Sequence, residues 1–496
     1  MKRFTFSVMK KLTSLLLLSV LFWRVGYCQR FQVSYTTGAY SRSFSGKVLL
    51  YLNKENHNPK DAMADLERFP CFAITVKNVN PGDEVLFDDK AVSYPVVLSD
   101  LEKGDYYVQA VWDRNLGGRA IAESSGNIYS TSMKVRLTKD TGARFNVVCD
   151  QVVTSRPFVA TTFVKELRVA SELLSKSQGR SVTVDAAVLL PREYYSQPQR
   201  RFPVVYNVSG YGGDYHRYSG DTANYGMVLD TVSCITVYLD GNCPGGHSVY
   251  ANSDNNGPWG DALVKEFIPA MENTYRSNGA RLLWGHSSGG WTVLWLQTHY
   301  PKTFIGCWSS SPDPVDFRSF QRVNLYENDN MYYSPDSTEW LVATIAGRYP
   351  VATMKQCFQQ ENVIYRGEQC HSFNFVFSAK GADGQPVPIC DPATGDIDKK
   401  CVEHWKGYDI SLYLRTKWTM LQKDLQGKVR VTVGNSDNFL LNYAVHLLDD
   451  EMRKVGAPFV FAYYPGDHFT VATPQWRTDG FNFLEERYLT WKAAAH

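Results

Sequence analysis

The stretch Gly285-His286-Ser287-Ser288-Gly289-Gly290 constrains this chain more than any other. It follows the apolar run Arg281-Leu282-Leu283-Trp284 and precedes residues 291–299, which read as a helix. A strand turning sharply into a helix leaves the side chain at the turn standing above the sheet. The backbone there is strained, and glycines two before and two after give it room. The helix after the turn aims its N-terminus at it, so its N–H groups and dipole favour an anion beside Ser287. A lone Gly-x-Ser-x-Gly is weak evidence; the strand before it and the helix after it supply the context that the chemistry requires.

The surrounding pattern agrees. From about 181 onward strands alternate with helices: 181–191, 202–208 and 234–239 read as strands, and 261–275 as an amphipathic helix. Such alternation implies a mainly parallel sheet covered on both faces. Before it, residues 30 to about 150 read as short strands between turn signals. Examples are Cys71-Phe72-Ala73-Ile74-Thr75-Val76 and Tyr106-Tyr107-Val108-Gln109-Ala110-Val111-Trp112, and the turn Pro81-Gly82-Asp83 fits a β-sandwich. That module carries no motif for chemistry; it either binds carbohydrate or caps the domain that contains Ser287. A helix is expected over 163–178, within a linker spanning 151–180.

A nucleophilic serine needs a base, and the base needs an orienting acid. The strand 428–433 ends at Gly434-Asn435-Ser436-Asp437, and a carboxylate just past a strand's C-terminal end is where such sheets gather site residues. A helix over 440–455 and a last strand over 459–464 come next, and then Pro465-Gly466-Asp467-His468. Order and strand-end placement select Asp437 as acid and His468 as base. Asp467 is set aside because sequence neighbours rarely face each other. For the oxyanion hole, the N–H of Ser288 is one donor and that of Tyr211, in Ser209-Gly210-Tyr211-Gly212-Gly213, the other. Gly210, Gly212 and His286 are expected to contact substrate. Asp240 and Asp261 are read as structural rather than as a pocket floor.

Together these marks resemble the putative-esterase family typified by esterase D, within the α/β-hydrolase superfamily. The resemblance is carried by Ser209-Gly210-Tyr211-Gly212-Gly213, Leu239-Asp240-Gly241, Asn256-Gly257-Pro258-Trp259-Gly260-Asp261, the Ser287 elbow, Gly434-x-x-Asp437 and Gly466-Asp467-His468. It implies an α/β-hydrolase fold and metal-independent ester hydrolysis through an acyl-enzyme on Ser287, with no cofactor. Small-molecule or glycan-linked esters, acetyl or feruloyl, are the implied substrates. Two departures stand out. The family loop usually opens with His, where this chain has Ser209, so a loop-bracing hydrogen bond is expected to be lost. Residues from about 312 to 425 exceed what a minimal hydrolase needs and are expected to form a cap rich in aromatic residues.

The N-terminus reads as an export signal: Lys10 and Lys11, then the apolar run 12–23, then the small residues Gly26 and Cys28. The expected organisation is 1–28 signal peptide, 29–150 β-sandwich-like module, 151–180 linker and 181–496 catalytic domain. The destination is secretion or the periplasm, with acylation at Cys28 as the alternative. The run is too short to span a bilayer comfortably, and no later segment is apolar enough. Net charge is +2, and five basic residues fall in the acid-free first 28, so nothing suggests a nucleic-acid footprint. Of 10 cysteines nine come after the signal, and Cys234/Cys243, Cys357/Cys370 and Cys390/Cys401 lie close in sequence, although sequence does not fix pairing. No metal motif occurs. Three other readings stay open: a serine peptidase of the prolyl-oligopeptidase kind, a siderophore esterase or acyltransferase, and a non-catalytic binding protein on a hydrolase scaffold.

Overall fold

The computed structural model describes residues 29–62, 67–138 and 142–494. The expected signal segment, with Cys28, lies outside the described residues.

The second half of the chain is built on an eight-stranded sheet. Its spatial order is Val164–Ala170, Thr183–Leu189, Ile235–Leu239, Phe202–Val208, Ser277–His286, Gly306–Ser310, Val429–Gly434, Val460–Tyr464. The first two pairings are antiparallel and the rest parallel. Every residue of Phe202–Val208 is buried, as a strand covered on both faces requires. Its side chains alternate: Val204, Tyr206 and Val208 join the core that includes Trp291 and Leu294 of the helix after the elbow. Val205 faces the other way, into a cluster with Trp308, Trp476, Phe483 and Leu484, the last three from the closing helix Pro474–Ala494. The helix expected over 261–275 is present with a π-helical turn, Leu263–Phe267, between Trp259–Ala262 and Ile268–Thr274.

The helix expected over 163–178 forms only in its second half, Glu172–Gln178. Val164–Ala170 is instead an edge strand, registered antiparallel to Thr183–Leu189. Pairing there satisfies backbone groups that the edge of the sheet would otherwise leave open. The Ser171 side chain accepts from Leu174 N and starts the helix immediately afterwards.

Residues 30–152 form the expected all-β module, its nine strands hydrogen-bonded into one continuous sheet. Gly104–Asp113 explains the continuity. One of its edges pairs in succession with Met133–Leu137 and with the short strand Ile128–Ser130, which carries the ladder on to Arg144–Val152. The sheet curls over a shared core in which the Trp112 ring meets Tyr35 at 4.7 Å and Phe44 at 5.0 Å.

Residues 312–425 supply the hairpin Leu341–Ile345/Tyr349–Thr353 and the helices Met354–Ile364, Gln369–Phe377, Lys399–Trp405 and Ile410–Leu425. Val363 and Ile364 of the first helix join a cluster with Leu49, Tyr51, Cys71 and Val111 of the N-terminal sheet. All nine described cysteines are buried. Cys234, Cys243, Cys390 and Cys401 are free thiols, whereas Cys370 hydrogen-bonds Cys357. Among the described residues no helix is long and apolar enough to cross a membrane, and no His/Cys/Asp/Glu cluster suits a metal.

Candidate active site

Ser287 sits at the C-terminal end of Ser277–His286 with φ +60° and ψ −129°, a conformation side chains rarely adopt. The surroundings impose it. A Cβ on Gly285 would stand 2.2 Å from Gly289 O, and one on Gly289 would stand 2.1 Å from Val208 O. Ser287 N donates to Ser310 O at 2.9 Å, while Trp291 N donates back to Ser287 O at 3.1 Å. Strand, turn and helix thus leave the serine hydroxyl one direction, into a cavity of about 320 Å³.

Asp437 and His468 lie just beyond the ends of the last two parallel strands, Val429–Gly434 and Val460–Tyr464. His468 Nδ1 is 2.8 Å from Asp437 Oδ2, with both side chains buried. The other oxygen, Oδ1, accepts from Phe439 N at 2.9 Å, so the carboxylate is fixed at both ends. Asp467 instead turns back on its own loop, where backbone and hydroxyl donors of Phe469 and Thr470 hold its carboxyl below the usual range. His468 packs edge-on against Phe439 at 4.9 Å and lies 4.6 Å from the His286 ring. Ser287, His286 and His468 all line the one cavity.

The loop 209–213 closes over the serine: a Cβ on Gly210 would stand 3.3 Å from Ser287 Cβ. Gly210 and Tyr211 line the cavity, whereas Gly212, at φ +75°, lines a separate cleft beside Arg119. Ser288 is buried, and its hydroxyl donates to Asp313 Oδ2 at 2.6 Å. His286 Nδ1 lies 3.1 Å from Ser310 Oγ, and burial pushes its imidazole down to about 3. Asp240 and Asp261 stand apart from the cavity: Asp240 receives Asn242 N, and Asp261 receives the hydroxyl of Tyr300.

Several residues at the site carried no sequence signal. The brace expected to be missing at Ser209 comes from elsewhere, since the His247 ring reaches Ser209 O at 3.1 Å and Nδ1 accepts from Val249 N at 2.9 Å. Asn438 Oδ1 accepts from His468 N at 3.0 Å, while its Nδ2 donates to Thr344 O in the cap hairpin at 2.9 Å. The Tyr211 hydroxyl donates to Gly367 O in the cap, and Arg119 of the N-terminal region donates to that hydroxyl at 2.8 Å. Asp313, buried beside Ser288, has its carboxyl raised to about 6 by desolvation. Only tertiary contacts bring these residues to the site, and no local pattern marks them.

A mostly parallel sheet covered on both faces, with a strained serine at a central strand's end, defines the α/β-hydrolase fold. Within it, residues 175–356 match the family model described as Putative esterase. No curated protein sequence matches the chain. Similar solved structures include a ferulic acid esterase, at 14% identity and TM-score 0.36 over 67% of this chain and 98% of that one. An S-formylglutathione hydrolase from Agrobacterium tumefaciens aligns at 13% and 0.37 over 66% and 96%. Dipeptidyl peptidase 4 of Porphyromonas gingivalis aligns at 13% and 0.37 over 90% of this chain and 49% of that one.

Proposed function

We propose that this protein is an exported serine hydrolase of carboxylic esters, with Ser287 as nucleophile, His468 as base and Asp437 as acid. The observation that carries the reading is the buried 2.8 Å contact between His468 Nδ1 and Asp437 Oδ2, at the edge of the cavity that Ser287 also lines. That contact fixes the tautomer in which Nε2 is the acceptor, free to take a proton. As the Ser287 hydroxyl attacks the ester carbonyl, its proton passes to Nε2, and Asp437 stabilises the imidazolium. The N–H groups of Ser288 and Tyr211 receive the oxyanion, each contributing about 3 kcal/mol. His468 then protonates the departing alcohol, and water, activated by the same ring, releases the acid.

The cavity favours a compact, largely apolar acyl group, because Val342, Phe373, Phe439, Leu441 and Phe469 line it. Acetyl and feruloyl esters, glycan-linked ones included, therefore belong in the first substrate panel. The deciding assay is hydrolysis of p-nitrophenyl acetate by the parent and by Ser287→Ala. A fall of about 10⁴–10⁶-fold in kcat is expected on losing the nucleophile. Equal rates in the two proteins reject the assignment. Export is tested by N-terminal sequencing of the mature protein, which should begin at Gln29.

A further inference from the structure

The cap meets one face of the N-terminal sheet and then parts from it. Leu49, Tyr51, Cys71, Ala73 and Val111 pack with Val363 and Ile364 of the cap. The next row of the same register is Lys47, paired with Thr75 on one side and Asp113 on the other. Side chains two apart on a strand share a face, so Lys47 points the way Leu49 and Tyr51 do. At this row sheet and cap diverge around a cleft of about 540 Å³, within the size range of small-molecule sites. The cap helices Met354–Ile364 and Gln369–Phe377 line both this cleft and the cavity at Ser287, yet the two spaces share no lining residue.

Charge selects the kind of ligand. Among the described residues Lys47 makes no ion pair or hydrogen bond; its ammonium lies over the Tyr365 ring, 4.9 Å from the centre. Asp113 is committed elsewhere, to Arg366 at 2.6 Å and to the Tyr365 hydroxyl. Arg114 adds a second cation to the lining, stacked on Tyr40 at 4.4 Å. His371 on the cap wall contributes no charge, because burial pushes its imidazole down to about 4. With Asp113 offset by Arg366, the cleft keeps a positive surplus. Burial draws the Lys47 ammonium below its usual value, and a bound carboxylate would reverse that.

The remaining lining selects the body that carries the carboxylate. The side-chain amides of Asn362 and Gln385 have no partner within the described chain, while Phe358 and Phe375 offer flat apolar surface. An inorganic anion would leave the rings uncovered, and a plain aromatic acid would leave the amides unmet. A polyhydroxylated ring with one carboxylate engages all three kinds of group.

We propose that this cleft is a second binding site, for a sugar acid of the uronate class, with the carboxylate at Lys47, the hydroxyls at Asn362 and Gln385, and the ring against Phe358 and Phe375. It does not involve Ser287 and is tested apart from the esterase reading.

The test is calorimetric titration of the full-length protein with D-glucuronate, D-glucose and acetate. Glucuronate should bind at least tenfold more tightly than either, about 1.4 kcal/mol, since glucose lacks the charge and acetate lacks the ring. Lys47→Met keeps the length and loses the charge; it should remove that preference and leave hydrolysis of p-nitrophenyl acetate unchanged. No measurable binding of glucuronate, binding matched by glucose or acetate, or a preference that survives Lys47→Met overturns the proposal. A second measurement needs no variant: in the parent, glucuronate should protect Lys47 from acetylation by acetic anhydride, read by peptide mass spectrometry, and glucose should not. Labelling of Lys47 that glucuronate leaves unchanged also overturns it.

Discussion

At the scale of single residues, the Asp437–His468 contact does two jobs that separate experimentally. Asp437→Asn preserves shape and keeps a hydrogen bond, but an amide presenting N–H to Nδ1 favours the wrong tautomer. A loss in kcat of about 10⁴-fold is expected, with KM little altered. Steady-state kinetics at neutral pH check this, and a loss below tenfold would leave Asp437 as a mere anchor for the backbone N–H of Phe439. His247 offers a prediction in pH. Burial lowers its imidazole to about 4, so the fold holds it neutral while the unfolded chain protonates it near 6.5. The unfolded state therefore binds more protons between these values, and the residue's contribution is complete above about 6.5 and declines towards about 4. The stability advantage of the parent over His247→Gln should shrink by about 1.4 kcal/mol per pH unit across that window, read from urea melts. A difference that stays flat would mean His247 is already charged in the fold. The two residues also differ in legibility. The position of Asp437 after a strand is a local pattern, whereas His247 braces Ser209 across 38 residues and resembles any other histidine in sequence.

Elements impose a second kind of constraint, because the loops that carry Asp437 and His468 and the hairpin Leu341–Ile345/Tyr349–Thr353 share one asparagine. Asn438 receives His468 N, donates to Thr344 O, and offers its own carbonyl to Thr344 N at 2.7 Å. Asn438→Ala removes the side-chain links and keeps the backbone one. His468 then loses its register against Ser287, and a displacement of about 1 Å costs about 10²-fold in rate. The fall should appear in kcat for every ester tested, with the melting temperature lowered by only a few degrees. A variant that melts early yet turns over normally would reduce Asn438 to a hairpin clip. Sequence pattern locates most elements of the eight-stranded sheet, since each strand is short, apolar and punctuated by turns. It misassigns Val164–Ala170, whose apolar residues at 164, 167 and 169 fit either period; the partner strand Thr183–Leu189 decides the matter. It marks 30–150 as an all-β module but not how the strands join, because the single strand that pairs twice along one edge, Gly104–Asp113, looks like any other strand in isolation.

For the whole molecule, the question is whether residues 30–152 form an accessory module or part of the site's foundation. Arg366, on the cap, places its guanidinium against the Asp113 carboxylate at 2.6 Å with both side chains almost fully buried. The same guanidinium donates to carbonyls of Gly118 and Arg119 in the N-terminal region and of Pro244 in the hydrolase. Beside it the Tyr365 hydroxyl bonds Asp113, and Arg119 stacks on Tyr211 with 4.7 Å to the ring centre. The loop 209–213 therefore leans on a side chain from the N-terminal region. An ion pair of this kind adds little net stability over an apolar pair, but breaking it strands one buried charge, at about 3–5 kcal/mol. Asp113→Ala and Arg366→Met should each destabilise the chain by that order in urea melts. The double variant should cost clearly less than the sum, since no orphaned charge remains. Additive costs would indicate that the two residues act independently. Deletion probes the same coupling on a larger scale, because removing residues 29–152 uncovers Val363 and Ile364 and leaves Arg366 unpaired. Residues 153–496 alone should therefore lose cooperative unfolding and most esterase activity. Retention of both by that fragment would make the N-terminal sheet an appendage, and a role in holding glycan would become the better account of it.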